Sequence, residues 1–152
     1  MKTEILGEVA QDAFGRRLAG CLKAPCVVYL DGDLGTGKTT LVRGVLRELG
    51  HHGSVRSPTY TLLEPYDLGT LRLFHLDLYR LGDPEELEYL GLRDLLDADS
   101  VLFVEWPRRG IGVLPPADLE IRFAYSESGR VLELTPRTST AVALLAALSL
   151  PN

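Results

Sequence analysis

The sequence predicts a single three-layer α/β domain over residues 1–152, in which a mixed, mostly parallel sheet lies between helices on both faces. Two short apolar runs, 26–30 and 101–104, have the composition of strands buried on both faces, which is typical of parallel sheets. Between and around these runs, apolar residues recur at helical spacing, most clearly over 9–22. Strands and helices mixed along the chain in this way indicate an α/β sheet.

The first half of the chain supplies the elements around the first buried strand. Residues 2–6 predict a short strand, and the helix over 9–22 ends before Pro25. The strand at 26–30 is followed by a glycine-rich loop and by a helix over 39–49, which Gly50 closes. We expect a turn over 54–59, because Pro58 disfavours a helical conformation at Ser57.

The second half predicts further strands and several short helices. Two strands, 60–66 and 71–78, are joined by a turn at 67–69, and Asp83, Pro84 and Glu86 predict a helix start with its first turn capped. That helix is expected to reach Leu90, with another helical turn over 92–96. The strand at 101–105 is followed by a hairpin, 119–124 with 131–135, which we expect at a sheet edge. Residues 136–152 form a C-terminal extension, predicted helical from Thr140.

Composition limits the classes of function. The net charge of −5 argues against broad electrostatic binding of nucleic acid. No apolar stretch reaches the length of a membrane span and no targeting segment is evident, so we expect a cytoplasmic protein without a membrane partner. Cys21 and Cys26 do not have the spacing of a redox or zinc motif and are expected to be core thiols.

The glycine-rich loop carries the strongest functional signal. Gly32, Gly37, Lys38 and Thr39 match the pattern G-x-x-x-x-G-K-[ST] in full, between a buried strand and a helix. In such a loop the backbone amides and the helix N-terminus bind phosphates, the lysine bridges the terminal phosphates, and the hydroxyl binds Mg²⁺. The sequence therefore predicts a P-loop NTPase-like sandwich that binds ATP and Mg²⁺.

Several polar residues outside the loop are candidates for the same site. Glu105 ends the apolar run 101–104, and Asp77 ends another predicted strand, so either carboxylate could serve the metal or simply begin a turn. Thr59 lies where nucleotide switches place a phosphate-sensing threonine, although an ordinary turn explains its position equally well. His75, alone between apolar neighbours, is more typical of a core histidine than of a catalyst.

Other classes of phosphate-loop protein fit less well. The guanine-reading motif of a GTPase needs an Asn and its hydrolysis usually a Gln, but here the only Asn is Asn152 and the only Gln is Gln11, both far from the motif in sequence. The signature of transporter ATPases is absent. A small-molecule kinase would need a lid, and Arg108 and Arg109 lie in a loop without a lid-like insertion. An ATP-binding assembly module without significant turnover remains an alternative.

Taken together and in order, four segments resemble the TsaE family: 32–40, 57–62, 75–87 and 104–107. The likeness extends over about residues 5–135 and is most specific in His75-Leu76-Asp77-Leu78-Tyr79-Arg80-Leu81 and in Trp106-Pro107. It implies an ATPase that supports formation of threonylcarbamoyladenosine (t6A) in tRNA by acting on a complex of TsaB and TsaD, with tRNA reached only through that complex.

The resemblance also implies roles for individual residues. Thr39 and Glu105 would hold Mg²⁺, Asp77 would lie in the active site, and Lys38, Asp77 and Glu105 would carry the catalysis. The expected nucleotide-binding residues are Gly32, Leu34, Gly35, Thr36, Gly37, Lys38, Thr39, Thr40, Thr59 and Arg130. With no Gln expected near the site, water must be activated by a carboxylate, by backbone or by a partner, so we expect slow turnover by the isolated chain.

Overall fold

The computed structural model describes residues 1–149, so Leu150, Pro151 and Asn152 lie outside the described residues. The described part contains a seven-stranded sheet in the order β1-β7-β6-β2-β5-β4-β3. The four strands β6, β2, β5 and β4 run parallel to one another, and antiparallel strands flank them on each side. The strand bounds are β1 Lys2–Ile5, β2 Cys26–Asp31, β3 Leu63–Asp67, β4 Arg72–Asp77, β5 Ser100–Glu105, β6 Leu119–Tyr125 and β7 Arg130–Pro136.

Helices cover both faces of the sheet, which confirms the predicted three-layer α/β class. Two apolar cores lie on opposite faces, and alternate residues of β5 point into each: Val101 and Phe103 into one, Leu102 and Val104 into the other. The larger core is completed by α1, α2 and α5, and the smaller one by α3 and α4. The helix bounds are α1 Gly7–Cys21, α2 Lys38–Glu48, α3 Glu86–Tyr89, α4 Leu92–Leu95 and α5 Ser139–Leu148.

Two glycines let α1 and α2 pack with their backbones in contact. A Cβ atom at Gly44 would lie 2.3 Å from the carbonyl oxygen of Asp12, and a Cβ atom at Gly15 would lie 2.3 Å from the carbonyl oxygen of Leu41. Any side chain at either position would therefore push the helices apart. This close approach places the first turns of α1 beside the loop that precedes α2.

The structure corrects three details of the predicted elements. Strand β3 begins at Leu63 and not at Tyr60, because the Leu62 amide donates to the Pro58 carbonyl at 2.8 Å and Leu62 has a φ of 67°. The helix predicted from 83 to 90 is a single turn, α3. The predicted edge hairpin, β6–β7, lies inside the sheet, since β1 pairs with β7.

The described part of the C-terminal extension contains the predicted helix, and the end of the extension, residues 150–152, lies outside the described residues. Helix α5 begins after Thr138, whose hydroxyl accepts from the Ala141 amide, and its buried leucines join the larger core. Cys26 is buried and Cys21 is partly buried against the same core, as expected for structural thiols. Within residues 1–149, no helix is both long and apolar enough to cross a membrane.

Candidate functional site

The predicted phosphate loop connects β2 to α2 at the carboxyl end of the parallel strands. Gly35 and Gly37 have φ values of 79° and 94°, a backbone conformation that residues other than glycine rarely adopt. Gly32 is required for another reason, because a Cβ atom there would lie 2.8 Å from both the Cβ and the carbonyl oxygen of Phe123. The hydroxyl of Thr36 donates to the Asp33 carbonyl at 2.7 Å and so braces the loop from within.

Lys38, at the first position of α2, is almost fully buried. Its ammonium donates to the Gly32 carbonyl and lies 4.1 Å from the centre of the Trp106 ring. Desolvation lowers the pKa of Lys38 below its ordinary value, while Glu105, Asp77 and other nearby carboxylates act in the opposite direction. No carboxylate within the described part of the chain forms an ion pair with this lysine, so the ammonium is available to an anion entering the loop.

Thr39 and Glu105 meet next to Lys38. The Thr39 hydroxyl donates to Oε2 of Glu105 at 3.3 Å, and the same oxygen lies 2.6 Å from Nε2 of His75. His75 is fully buried, and its Nδ1 has no hydrogen-bond partner. Since Oε2 of a carboxylate is an acceptor, the proton of a neutral His75 belongs on Nε2. The buried histidine is thus not a passive core residue, because it holds the carboxylate predicted to bind the metal.

Asp77 and Thr59 form the opposite side of the site. The Thr59 hydroxyl donates to Oδ2 of Asp77 at 3.0 Å, and the Tyr79 amide donates to Oδ1 at 3.0 Å. Asp77 and Glu105 are register partners in the parallel pair β4–β5, so their carboxylates leave the sheet side by side. The structure therefore brings the predicted switch threonine directly to the predicted active-site carboxylate.

Arg130 reaches the loop from the start of β7. Its guanidinium donates to the Gly35 carbonyl at 3.1 Å and lies 4.2 Å from the centre of the Tyr125 ring. The Tyr125 hydroxyl in turn donates to the Leu34 carbonyl at 3.1 Å. These contacts place Arg130 beside the phosphate loop.

Most of the predicted residues line one cleft of about 490 Å³. Gly32 and Thr36 do not line it. A second cleft, of about 580 Å³, lies over β2, β6 and β7, away from the loop. Two of its arginines are paired within it, Arg108 with Asp31 and Arg137 with Glu120, and none of the predicted site residues lines it. The smaller cleft is the candidate site.

The groups in this cleft suit Mg²⁺ bound together with phosphates. Mg²⁺ is usually held by one or two protein oxygens, the remainder of its shell being water and phosphate oxygens. Thr39 and Glu105 offer a hydroxyl and a carboxylate in contact with each other. Among residues 1–149, no group of three or more His, Cys, Asp or Glu side chains could hold a metal without such help. The donor set fits a Mg²⁺ ion that is bound together with a nucleotide.

Sequence reasoning missed one residue of the site altogether. Gln11 lies near the start of the chain and the sequence predicts no Gln near the site, which is wrong, because its Nε2 donates to the carbonyls of Thr36 and Gly37, each at 2.9 Å. A signal was present, because Gln11 lies three and four residues before Phe14 and Gly15, on the buried face of α1. A polar residue on that face needs a buried partner, and the loop supplies it.

The chain is similar to known proteins of one family. The family model "Threonylcarbamoyl adenosine biosynthesis protein TsaE" matches residues 7–132. A Haemophilus influenzae protein named "tRNA threonylcarbamoyladenosine biosynthesis protein TsaE" is 45% identical over 141 residues, which are 90% of this chain and 89% of that protein. A Bacillus subtilis protein of the same name is 39% identical over 109 residues, covering 72% and 68%.

A solved structure extends the likeness to the whole fold. The crystal structure of Bacillus subtilis YdiB superposes with a TM-score of 0.83 and 29% sequence identity, covering 98% of this chain and 93% of that one. The family model covers well over half of the chain, and it includes the phosphate loop and both carboxylates. The chain belongs to the TsaE family.

Proposed function

We propose that the chain is a Mg²⁺-dependent ATPase that supports t6A formation in tRNA by acting on a complex of TsaB and TsaD. A role in t6A biosynthesis follows from membership of the family. The finer statement, that ATP turnover resets or drives the partner complex, is our inference. We further propose that the protein works in the cytoplasm and meets tRNA only through its partners, in keeping with its net charge of −5.

One observation carries the proposal: Lys38, Thr39 and Glu105 converge at the start of α2, beside the loop amides. The amides and the N-terminus of the helix bind phosphate oxygens. Mg²⁺, when bound, would neutralise charge that develops on the phosphates during transfer. Thr39 and Glu105 would hold that ion, while Lys38 would leave the Gly32 carbonyl to contact the terminal phosphates.

The arrangement also supports slow turnover by the isolated chain. Gln11 is the only glutamine, and its side-chain N–H groups are bonded to loop carbonyls, so they do not orient a water molecule for attack. Both oxygens of Asp77 accept hydrogen bonds from Thr59 and Tyr79, so this carboxylate is already engaged by groups of its own chain. We therefore expect a partner to rearrange the site or to add a group to it.

The test compares ATP hydrolysis by the chain alone and with both partners, without an acceptor molecule. We expect a low basal rate that rises when TsaB and TsaD are added together, and copurification with them that depends on ATP. A fast rate that partners do not change would contradict the proposal. A small-molecule kinase would instead need an acceptor, and an assembly module would copurify without turnover.

The control is Lys38→Ala, since Lys38 is the residue that contacts the terminal phosphates in the proposal. This variant should fold, as judged by circular dichroism, but lose productive binding of ATP in a nucleotide titration. Retention of both binding and partner-stimulated turnover would show that the loop is not the site of hydrolysis.

A further inference from the structure

We propose that Gln11 is a positioning residue that orients the phosphate-binding amides of the loop. The inference rests on the proposed nucleotide site and adds a residue from outside the loop, on α1, to it. Gln11 is 4% exposed, and its side-chain amide lies between two successive loop peptides. The amides that Gln11 orients would bind the diphosphate or triphosphate group of a ligand, and not its base or sugar.

The geometry of the peptide bond links Gln11 to the amides. Its Nε2 donates at 2.9 Å to the Thr36 carbonyl and at 2.9 Å to the Gly37 carbonyl. In a trans peptide the C=O and N–H bonds point in opposite directions. The two peptides thus held carry the N–H groups of Gly37 and Lys38. Because Gln11 binds the carbonyls on one side of the loop, these N–H groups are directed to the other side.

Helix α2 fixes one of the same peptides independently. The Gly37 carbonyl also accepts from the Leu41 amide at 3.0 Å, the first hydrogen bond of the helix. The preceding peptide, Thr36–Gly37, has no such helical bond through its carbonyl, so Gln11 supplies its restraint. Loss of the Gln11 amide should therefore loosen this peptide most, at a point where the φ of Gly37 is 94° and alternative conformations are open to glycine.

The close approach of Gln11 means that a side chain at residue 37 would displace the Gln11 amide, in addition to the strain that the φ of 94° would impose on it. A Cβ atom there would lie 2.3 Å from Nε2 and 2.6 Å from Oε1 of Gln11. The contact is possible only because Gly15 and Gly44 let α1 and α2 touch. Gly15, Gly44 and Gly37 thus let Gln11 reach the loop, and Gln11 orients the loop before any ligand enters.

The experiment compares wild type with Gln11→Met, which keeps the length of the side chain and removes its donors. Binding of inorganic pyrophosphate and of ATP with Mg²⁺ is measured by calorimetry, and melting by circular dichroism. Losing two neutral hydrogen bonds to the loop should weaken both ligands by a similar factor, about tenfold. Pyrophosphate binding equal to wild type would overturn the inference.

A packing control separates positioning from stability. Phe14→Leu removes buried volume from the same face of α1 and leaves the Gln11 amide in place. This variant should lower the melting temperature without changing the affinity for pyrophosphate. An equal loss of affinity in Phe14→Leu and Gln11→Met would show that general loosening of α1, and not the amide, is responsible, and would also overturn the inference.

A second variant covers the possibility that Gln11→Met does not fold. Gln11→Glu has the same shape but, when ionised, no donor, so it too should bind pyrophosphate more weakly than wild type. Unchanged binding in Gln11→Glu would contradict the positioning role. Failure of the proposed function looks different, because wild type itself would then bind neither ATP nor pyrophosphate.

Discussion

The contact between α1 and α2 is tested by Gly44→Ala. In wild type, the space for a Cβ atom at residue 44 is occupied by the carbonyl oxygen of Asp12, 2.3 Å away. An ordinary contact begins near 3.4 Å, so the helices must separate by about 1 Å. Moving α1 by that amount lengthens the Gln11 hydrogen bonds to the loop, now 2.9 Å, beyond normal reach.

The expected loss of stability combines three contributions. Overpacking costs about 1–3 kcal/mol, and each lost hydrogen bond costs about 1 kcal/mol. Alanine recovers about 1 kcal/mol because it favours the helix more than glycine does. The net destabilisation is about 2–4 kcal/mol. For a domain of this size it corresponds to a fall in melting temperature of roughly 4–16 °C.

Thermal melting and urea unfolding, followed by circular dichroism, measure this change. The matched control is Gly20→Ala on α1, where a Cβ atom would meet nothing within 4 Å, so this variant should be neutral or slightly more stable. Gly44→Ala should in addition bind pyrophosphate more weakly, because Gln11 is displaced. If both alanine variants had the same stability, the reasoning from backbone contact would be refuted.

Three further predictions concern the carboxylates, the buried histidine and the thiols. Glu105→Ala should abolish the Mg²⁺ dependence of ATP binding far more than Asp77→Ala does, and equal losses would place both in one metal shell. His75→Phe should weaken the apparent Mg²⁺ affinity of the ATP complex about tenfold, because it removes a hydrogen bond to a charged carboxylate. His75→Gln, which keeps a donor, should retain more of this affinity, and identical titrations for the two variants would contradict that reason. Burial raises the pKa of Cys26 from 9.0 to about 12, so at pH 8 a thiolate-directed reagent should modify Cys21 before unfolding and Cys26 only after it.

The raised pKa of Cys26 also makes the stability of the fold depend on pH. An acid with a higher pKa in the folded state contributes stability below its unfolded pKa, and this contribution is lost as the pH rises above that value. Cys26→Ala should therefore reduce the loss of stability between pH 9 and pH 11, as measured by urea unfolding. An unchanged pH profile would show that this thiol does not contribute to alkaline unfolding.

Strong local patterns predicted the centre of the fold. The apolar runs of β2 and β5 indicated buried strands, and the spacing of the loop glycines and Lys38 placed the candidate site between β2 and α2. Asp77 and Glu105 were each identified as a carboxylate at the end of a predicted strand, and the structure shows that the two strands are parallel neighbours. These features depend on residues close in sequence or on a general rule of topology.

The features that the sequence did not reveal depend on contacts between distant segments. The position of Gln11 beside the loop follows from the packing of α1 on α2, which no local pattern encodes. The interior place of β7 depends on its pairing with β1 at the opposite end of the chain. Leu62 keeps the start of β3 in a turn through a hydrogen bond to Pro58 and a positive φ that the propensity of its neighbours does not predict.

The buried bond between His75 and Glu105 also bears on how β4 and β5 find their alignment during folding. Both strands are buried along almost their whole length, so a shift of one strand past the other would still bury apolar side chains. A shifted pairing would, however, leave an imidazole and a carboxylate without each other in an apolar interior, which is costly. The polar pair therefore discriminates against misaligned sheets, and the same bond that holds a candidate metal ligand also selects the native strand register.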